Sequence, residues 1–430
     1  MAAIQNIQRV ARGIELRPAT MYALSGAISK SVSFLLLLYF ACTLSTGDFG
    51  RLAIFNAAIL FLMPVVSMGI TQSVSNAYFN SDKKSFSHFF SATLMVPAVA
   101  TLLCMLLLFI FSKQMQEHYA FPAVLVAMIP LAVFFKCINS HMLAMVRNSG
   151  NAAKHLFISI GIALAEITLA GFFTGVMEWG WEGGAAALFI SCMMPALYAL
   201  FYFKEEGFMA NSFSKKIMLA EYNRNMPLVI MQCALFCMVP AAIFFIEYFT
   251  KDIAEAGVFG IAALLSSVIV VLCTIVMRYV YPKMQTHLRQ NKINYAALKW
   301  YAFFYAGAML LGTGAAIIAV PLAYNIALGA SCHDGLYYYA FICLAYFFCS
   351  ISYFLYACLL HNTQRQKALF VSISAICISI ASHSLFASYW GAYGAAASVC
   401  IVSFTVMVII MLLAKKQLSL ILFLKPPKAV

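Results

Sequence analysis

Four charged residues lie inside long apolar runs: Lys30, Lys136, Glu166 and Arg278. An ionised side chain at that depth is costly, so it is paired, faces water or takes part in function. Lys136 and Glu166 each lie ten residues from the same end of two consecutive runs joined by a short turn. At about 1.5 Å per residue both reach about 15 Å deep, so an antiparallel hairpin brings them level. Lys30, nine residues into the first run, reaches a similar depth. Two roles fit. One is a cationic lining for an anionic substrate, with Glu166 as a proton carrier. The other is a structural ion pair that fastens helices together. Arg278 stands just before Tyr281-Pro282; its planar fork suits a phosphate, and its stem equally suits snorkelling to headgroups. The uncharged polar candidates are Asn56, Gln72, Asn76, Asn139 and Gln232, for which hydrogen bonding between helices is the ordinary role. His141 and His383 read as polar residues near run ends. The charges so picked out are three basic to one acidic, which points to an anionic substrate.

The elements that carry these residues follow from composition. The chain has 430 residues, is 64% hydrophobic and only 10% charged, with a mean hydropathy of +0.91. A soluble domain is about a quarter charged, so soluble enzymes, secreted disulfide scaffolds and disordered tails are excluded. Twelve runs, from Met21–Leu44 to Gly394–Ala414, are each long enough to cross a bilayer as a helix. The expected fold class is an all-α polytopic membrane protein of about 12 transmembrane helices. If the N-terminus is cytosolic, 21 of the 27 Lys and Arg fall in inner segments, and only Arg51, Lys113 and Lys251 in outer ones. That bias places both termini inside. It also explains the net charge of +13 without nucleic acid as a partner. The first run is too long for a cleaved signal. Before it, Ile4, Ile7, Val10 and Ile14 space like one face of an interfacial helix, with an unstructured lead-in as the alternative. No Walker-A loop, H-E-x-x-H or G-x-S-x-G occurs, and no C-x-x-C pairs with histidines. Neither an enzyme, a metal site nor a cofactor is expected.

The chain also repeats itself at an offset of about 210 residues. Trp179-Gly-Trp-Glu-Gly-Gly184-Ala-Ala-Ala187 matches Tyr389-Trp-Gly-Ala-Tyr-Gly394-Ala-Ala-Ala397. Lys154-His-Leu-Phe-Ile-Ser159 matches Lys367-Ala-Leu-Phe-Val-Ser372. The expected organisation is a basic lead-in (1–20), a six-helix bundle (21–203), a central cytoplasmic loop (204–225), a second six-helix bundle (226–414) and a basic tail (415–430). A duplicated bundle of this kind is the plan of alternating-access transporters, with the transport site expected between the halves.

With those landmarks in place, the sequence resembles the multidrug/oligosaccharidyl-lipid/polysaccharide exporter superfamily. Within it, the resemblance is to the bacterial O-antigen flippases of the Wzx type. The residues that carry it are the turn Gly47-Asp48-Phe49-Gly50, the turn Arg147-Asn-Ser-Gly150 with Lys154, the two Gly-Ala-Ala-Ala corners and Val280-Tyr-Pro-Lys283. The resemblance implies a flippase in the bacterial cytoplasmic (inner) membrane that moves a polyprenyl-diphosphate-linked glycan across the lipid bilayer. It implies a polysaccharide polymerase and a chain-length regulator as partners. It also implies cations within the spans, matched here by Lys30, Lys136 and Arg278, and coupling to an ion gradient, for which Glu166 is the candidate. The nearest alternative is a drug or metabolite exporter of the same superfamily, which needs an acidic cavity for cationic drugs. A major-facilitator transporter lacks support, because Asn80-Ser-Asp-Lys-Lys-Ser85 stands where its Gly/Asp/Arg-rich loop belongs. A polysaccharide polymerase needs a large outer loop, and none is present.

Overall fold

In hydrocarbon a backbone must satisfy its own hydrogen bonds, and a run of about 20 apolar residues does so as a helix. The computed structural model, which describes residues 16–119, 121–210, 215–289, 295–327, 330–361 and 365–413, is helical throughout, with no strand among the described residues. Residues 1–15 of the basic lead-in and the whole of the tail lie outside them, while residues 16–20 of the lead-in are helical. Among the described residues, eight helices are long and apolar enough to cross a membrane, or nine if a bent pair is taken as one. The remaining apolar runs form shorter, broken or merged helices, so each of the twelve expected runs is accounted for.

The first run is α1 (Leu16–Thr43). The second is split into α2 (Thr46–Ser67) and α3 (Ile70–Asn80). The split occurs where Met68 and Gly69 both take left-handed backbone, with φ of 48° and 64°. The third is α4 (Lys83–Ile110), followed by the short α5 (Ser112–Tyr119). The fourth is α6 (Ala123–Asn148) and the sixth α8 (Gly180–Glu205). The fifth begins as α7 (Ala152–Ala170) and widens into a π turn over Gly171–Val176. The seventh comprises α9 (Lys215–Met238) and α10 (Ala242–Thr250), bent by 48° around Pro240, which cannot donate a backbone hydrogen bond. The eighth is α11 (Ile253–Ser266) with α12 (Val268–Arg289). The ninth and tenth are α13 (Tyr295–Ala327) and α14 (Tyr339–His361). The last two form one continuous element, α15 (Arg365–Leu413), broken at Trp390 and Gly391. The expected central loop is shorter than its 204–225 bounds, because α9 already begins at Lys215.

The chain divides into two compact units. Unit 1 comprises residues 1–37 and 65–225; unit 2 comprises residues 38–64 and 226–430. In unit 1, α6 is central and packs against α3, α4, α7 and α8. In unit 2, α15 packs against α14 and α10, and α12 against α13. Faces turned away from these contacts remain apolar. On α4, Leu102, Leu106 and Phe109 are 66%, 60% and 76% exposed. A surface of that kind suits lipid rather than water.

Glycine sets two kinds of feature. At the repeated corner, Trp179-Gly180 and Trp390-Gly391 have the same design: each glycine is left-handed, with φ of 57° and 54°, and helix follows it. A glycine a few residues on, Gly183 or Gly394, lies directly against a carbonyl of the preceding span, Phe173 or Phe386. In unit 2, the first turn of α2 crosses the first turn of α11. Gly50 faces the Ile253 carbonyl and Gly257 faces the Thr46 carbonyl, with no room for a side chain at either.

Candidate functional site

Two of the charges that the sequence places inside apolar runs of unit 1 come from helices that pack directly on one another. Lys136 is on α6 and Glu166 on α7, and both are half-buried. The charge of Lys136 acts on the Glu166 carboxylate, and both act on Cys192 of α8. No ion-pair contact joins the two charges. The hairpin therefore brings them into one electrostatic field without closing a salt bridge.

Asn139 stands one turn from Lys136 on α6 and is 7% exposed. Its Nδ2 donates to the Cys192 carbonyl at 2.8 Å, while its buried Oδ1 has no partner. Fully buried His141 has Nδ1 at 2.8 Å from the Cys137 carbonyl, which makes Nδ1 the donor and leaves Nε2 an acceptor without a partner. Buried polar atoms are ordinarily satisfied. Helix α6 thus carries a half-buried ammonium and two unused acceptors.

The other expected site residues are distributed differently. Asn56 on α2 and Gln232 on α9 are half-buried and belong to unit 2. The side chains of Lys30, Gln72 and Arg278 lie outside the described ones. Two buried carboxylates escaped the sequence reading. Glu247 on α10 is 2% exposed, and it corrects the ratio of three bases to one acid, since it falls inside the seventh apolar run. Glu221 on α9 is 7% exposed and lies 3.5 Å from Asn225 Nδ2, which also donates to Ser73 Oγ at 3.2 Å. It sits in the segment taken as a loop. The signal for Glu247 was its position within Met226–Phe249. For Glu221 there was none, because the inward extension of α9 is polar. Among the described residues no group of three His, Cys, Asp or Glu is placed to hold a metal ion.

A second polar site lies at the ends of α3, α4, α6, α7 and α8, on the side that the Lys and Arg count assigns to the cytosol. It is a cavity of about 480 Å³ within unit 1. Its floor is aromatic: Phe86, Tyr202 and Phe208 are 3%, 5% and 8% exposed and meet edge to face. Lys83, Lys154 and Glu206 line it. The Lys154 ammonium sits over the Tyr202 ring, 4.0 Å from its centroid, an arrangement that attracts a cation to the ring face. The Lys83 ammonium lies 3.8 Å from where a side chain on Gly207 would begin. Gly207 itself is left-handed, with φ of 68°. Two helices start at the rim. Asp82 accepts from Ser85 N at 3.2 Å and caps α4; Asn151 accepts from Lys154 N at 2.9 Å and caps α7. Hydrogen bonds from Ser85 hold the exposed Asp82 carboxyl below its ordinary range.

No protein-family model matches the chain, and no curated protein matches it in sequence. Solved structures do match in fold. A multidrug resistance MATE family transporter of the MOP superfamily, in an inward-facing conformation, aligns over 91% of this chain and 95% of its own at a TM-score of 0.70 and 13% identity. An outward-facing MATE transporter aligns over 95% and 96% at a TM-score of 0.59 and 14% identity. A MOP superfamily transporter from Pyrococcus furiosus, described as having a binding pocket of reverse polarity that suggests a different function, aligns over 94% and 96% at 0.58 and 13%. The chain is thus similar, over more than nine-tenths of its length, to the twelve-helix fold of MATE transporters of the MOP superfamily.

Proposed function

We propose that this chain is a multi-pass membrane transporter that exports an amphipathic drug-like or metabolite cargo by alternating access. The observation that carries the reading is the fold match to MATE transporters along nearly the whole chain. Under this reading the chemistry is binding and release of cargo, not catalysis. Glu166, beside Lys136 but not paired with it, is the group placed to exchange a proton as cargo comes and goes.

A second reading, the flippase for a polyprenyl-diphosphate-linked glycan in the bacterial inner membrane, is favoured by Lys136. An ammonium at mid-depth without a salt bridge suits an anionic headgroup better than a cationic drug. The reverse polarity ascribed to the Pyrococcus furiosus protein makes such a departure within one fold reasonable. Deletion of the gene in its host separates the two. Intact surface glycan with raised sensitivity to cationic compounds supports the exporter. Loss of surface glycan with accumulation of inward-facing linked units supports the flippase. Normal behaviour on both counts would sink both readings. Under the flippase reading, Lys136→Ala and Lys30→Ala reduce export while the protein stays in the membrane.

A further inference from the structure

We propose that the cavity at the inner end of unit 1 is a binding site for a phosphate-bearing anion, held by Lys83 and Lys154. It is separate from the Lys136–Glu166 pair and does not depend on which cargo the protein moves.

The argument begins with charge. Among the described residues, no carboxylate lies within ion-pair distance of Lys83 or Lys154, although Glu206 lines the same cavity. Lys83 is exposed and Lys154 half-buried, and both ammonium groups face one concavity, one laid over the Tyr202 ring and one against Gly207. Each ammonium keeps donors free, and an ammonium is a point-charge binder of phosphate oxygens.

Shape and position agree with this. Glycine at 207 leaves the wall beside Lys83 open, and its left-handed backbone follows the end of α8 and leads into Phe208, which lines the cavity. The aromatic floor is packed ring on ring, so the site is formed without a ligand. Ser81, Ser149 and Asn151 line the mouth with further polar groups. At about 480 Å³ the space falls in the size range of small-molecule sites, enough for a phosphate and the polar group esterified to it. The inner membrane surface is where acidic headgroups concentrate, so the phosphate has two available sources: an acidic lipid or a soluble phosphate.

The test uses the full chain in nanodiscs of phosphatidylcholine. Short-chain phosphatidic acid and inorganic diphosphate are titrated separately by calorimetry, with short-chain phosphatidylcholine as the blank. Saturable binding is expected for one or both phosphates and not for the blank. Lys83→Gln combined with Lys154→Gln weakens it by at least about tenfold, the loss of charge-assisted hydrogen bonds. Glu206→Gln removes the one carboxylate among the lining residues and tightens it. Lys113→Gln, at the opposite ends of the helices, leaves it unchanged. Binding of phosphatidic acid alone identifies a lipid headgroup as the source; binding of diphosphate as well identifies the phosphate itself as sufficient. Absence of saturable binding by either probe overturns the proposal, as does an unchanged Kd in the double-lysine variant. Should that variant fail to fold, Glu206→Gln decides: no tightening there overturns the assignment.

Discussion

The crossing of α2 and α11 offers a sharp quantitative test. An alanine methyl at Gly257 falls on the Thr46 carbonyl oxygen, with Gly50 N 3.0 Å and the Thr46 carbonyl carbon 3.1 Å away. All three are backbone atoms, so no rotamer change relieves the clash and the helices must part. Overpacking of this kind costs about 1–3 kcal/mol, and the backbone nature of the obstacle puts Gly257→Ala in the upper half of that range. Gly50→Ala meets the Ile253 carbonyl in the same way and should cost as much. The double variant should cost clearly less than the two added together, because the first methyl has already separated the helices. Gly314→Ala is the control: nothing lies within 4 Å of its new methyl, and helix propensity favours alanine by up to about 1 kcal/mol. Unfolding of purified protein in mixed micelles, driven by a rising fraction of dodecyl sulfate, reads all four. If Gly257→Ala is as stable as Gly314→Ala, or if the two crossing variants are additive, the backbone-on-backbone approach is wrong.

Other predictions concern single polar groups. The Glu255 carboxylate accepts from Ala392 N at 2.7 Å, just past the break in α15, so Glu255→Ala should lose about 0.5–2 kcal/mol as cap removals do. Glu255→Gln should keep most of it in the same unfolding assay. Asn139→Ala removes the bond to the Cys192 carbonyl and should destabilise by about 0.5–1.5 kcal/mol; a larger loss in a transport assay than in stability would assign Asn139 to the cargo path. Asp82 has its carboxyl held below the ordinary 3.8. Its cap is therefore fully present above that value and is lost as pH falls through the lower folded one. The protection factor of the Ser85 amide, taken against the intrinsic exchange rate at each pH, should fall on acidification in the native chain, and should be low and independent of that titration in Asp82→Ala.

The twelve apolar runs were legible because hydrocarbon leaves a backbone few options. The breaks within them were legible only where chemistry marks them. Pro240 announces the bend between α9 and α10, yet Pro64, Pro97, Pro130 and Pro195 lie inside unbroken helices. Met68, a residue with no preference for left-handed backbone, ends α2, and the one local signal is Gly69 beside it, a weak mark inside an apolar run. Counting residues along two helices predicts that Lys136 and Glu166 stand level. Whether they touch depends on the rotation of each helix, which counting does not supply. The inner cavity was hidden for the same reason. Lys83, Lys154 and the stretch holding Tyr202 and Phe208 come from three separate segments of the sequence. Helix ends converge through packing of the buried faces below them, and that packing is a property of the whole unit.

The membership of residues 38–64 in unit 2 has a consequence for biosynthesis. Gly50 leaves the ribosome about two hundred residues ahead of Ile253 and Gly257, the partners it is shaped to meet. At about 5–20 residues per second, that is a wait of roughly 10–40 seconds in the bilayer, with the first turn of α2 still lacking its counterpart. Translation order and tertiary order therefore disagree, and unit 2 is completed only after much of the chain has been inserted. A gene cut in the segment before Met226 would not yield two self-sufficient halves: the upstream fragment would carry off a helix that the downstream fragment needs.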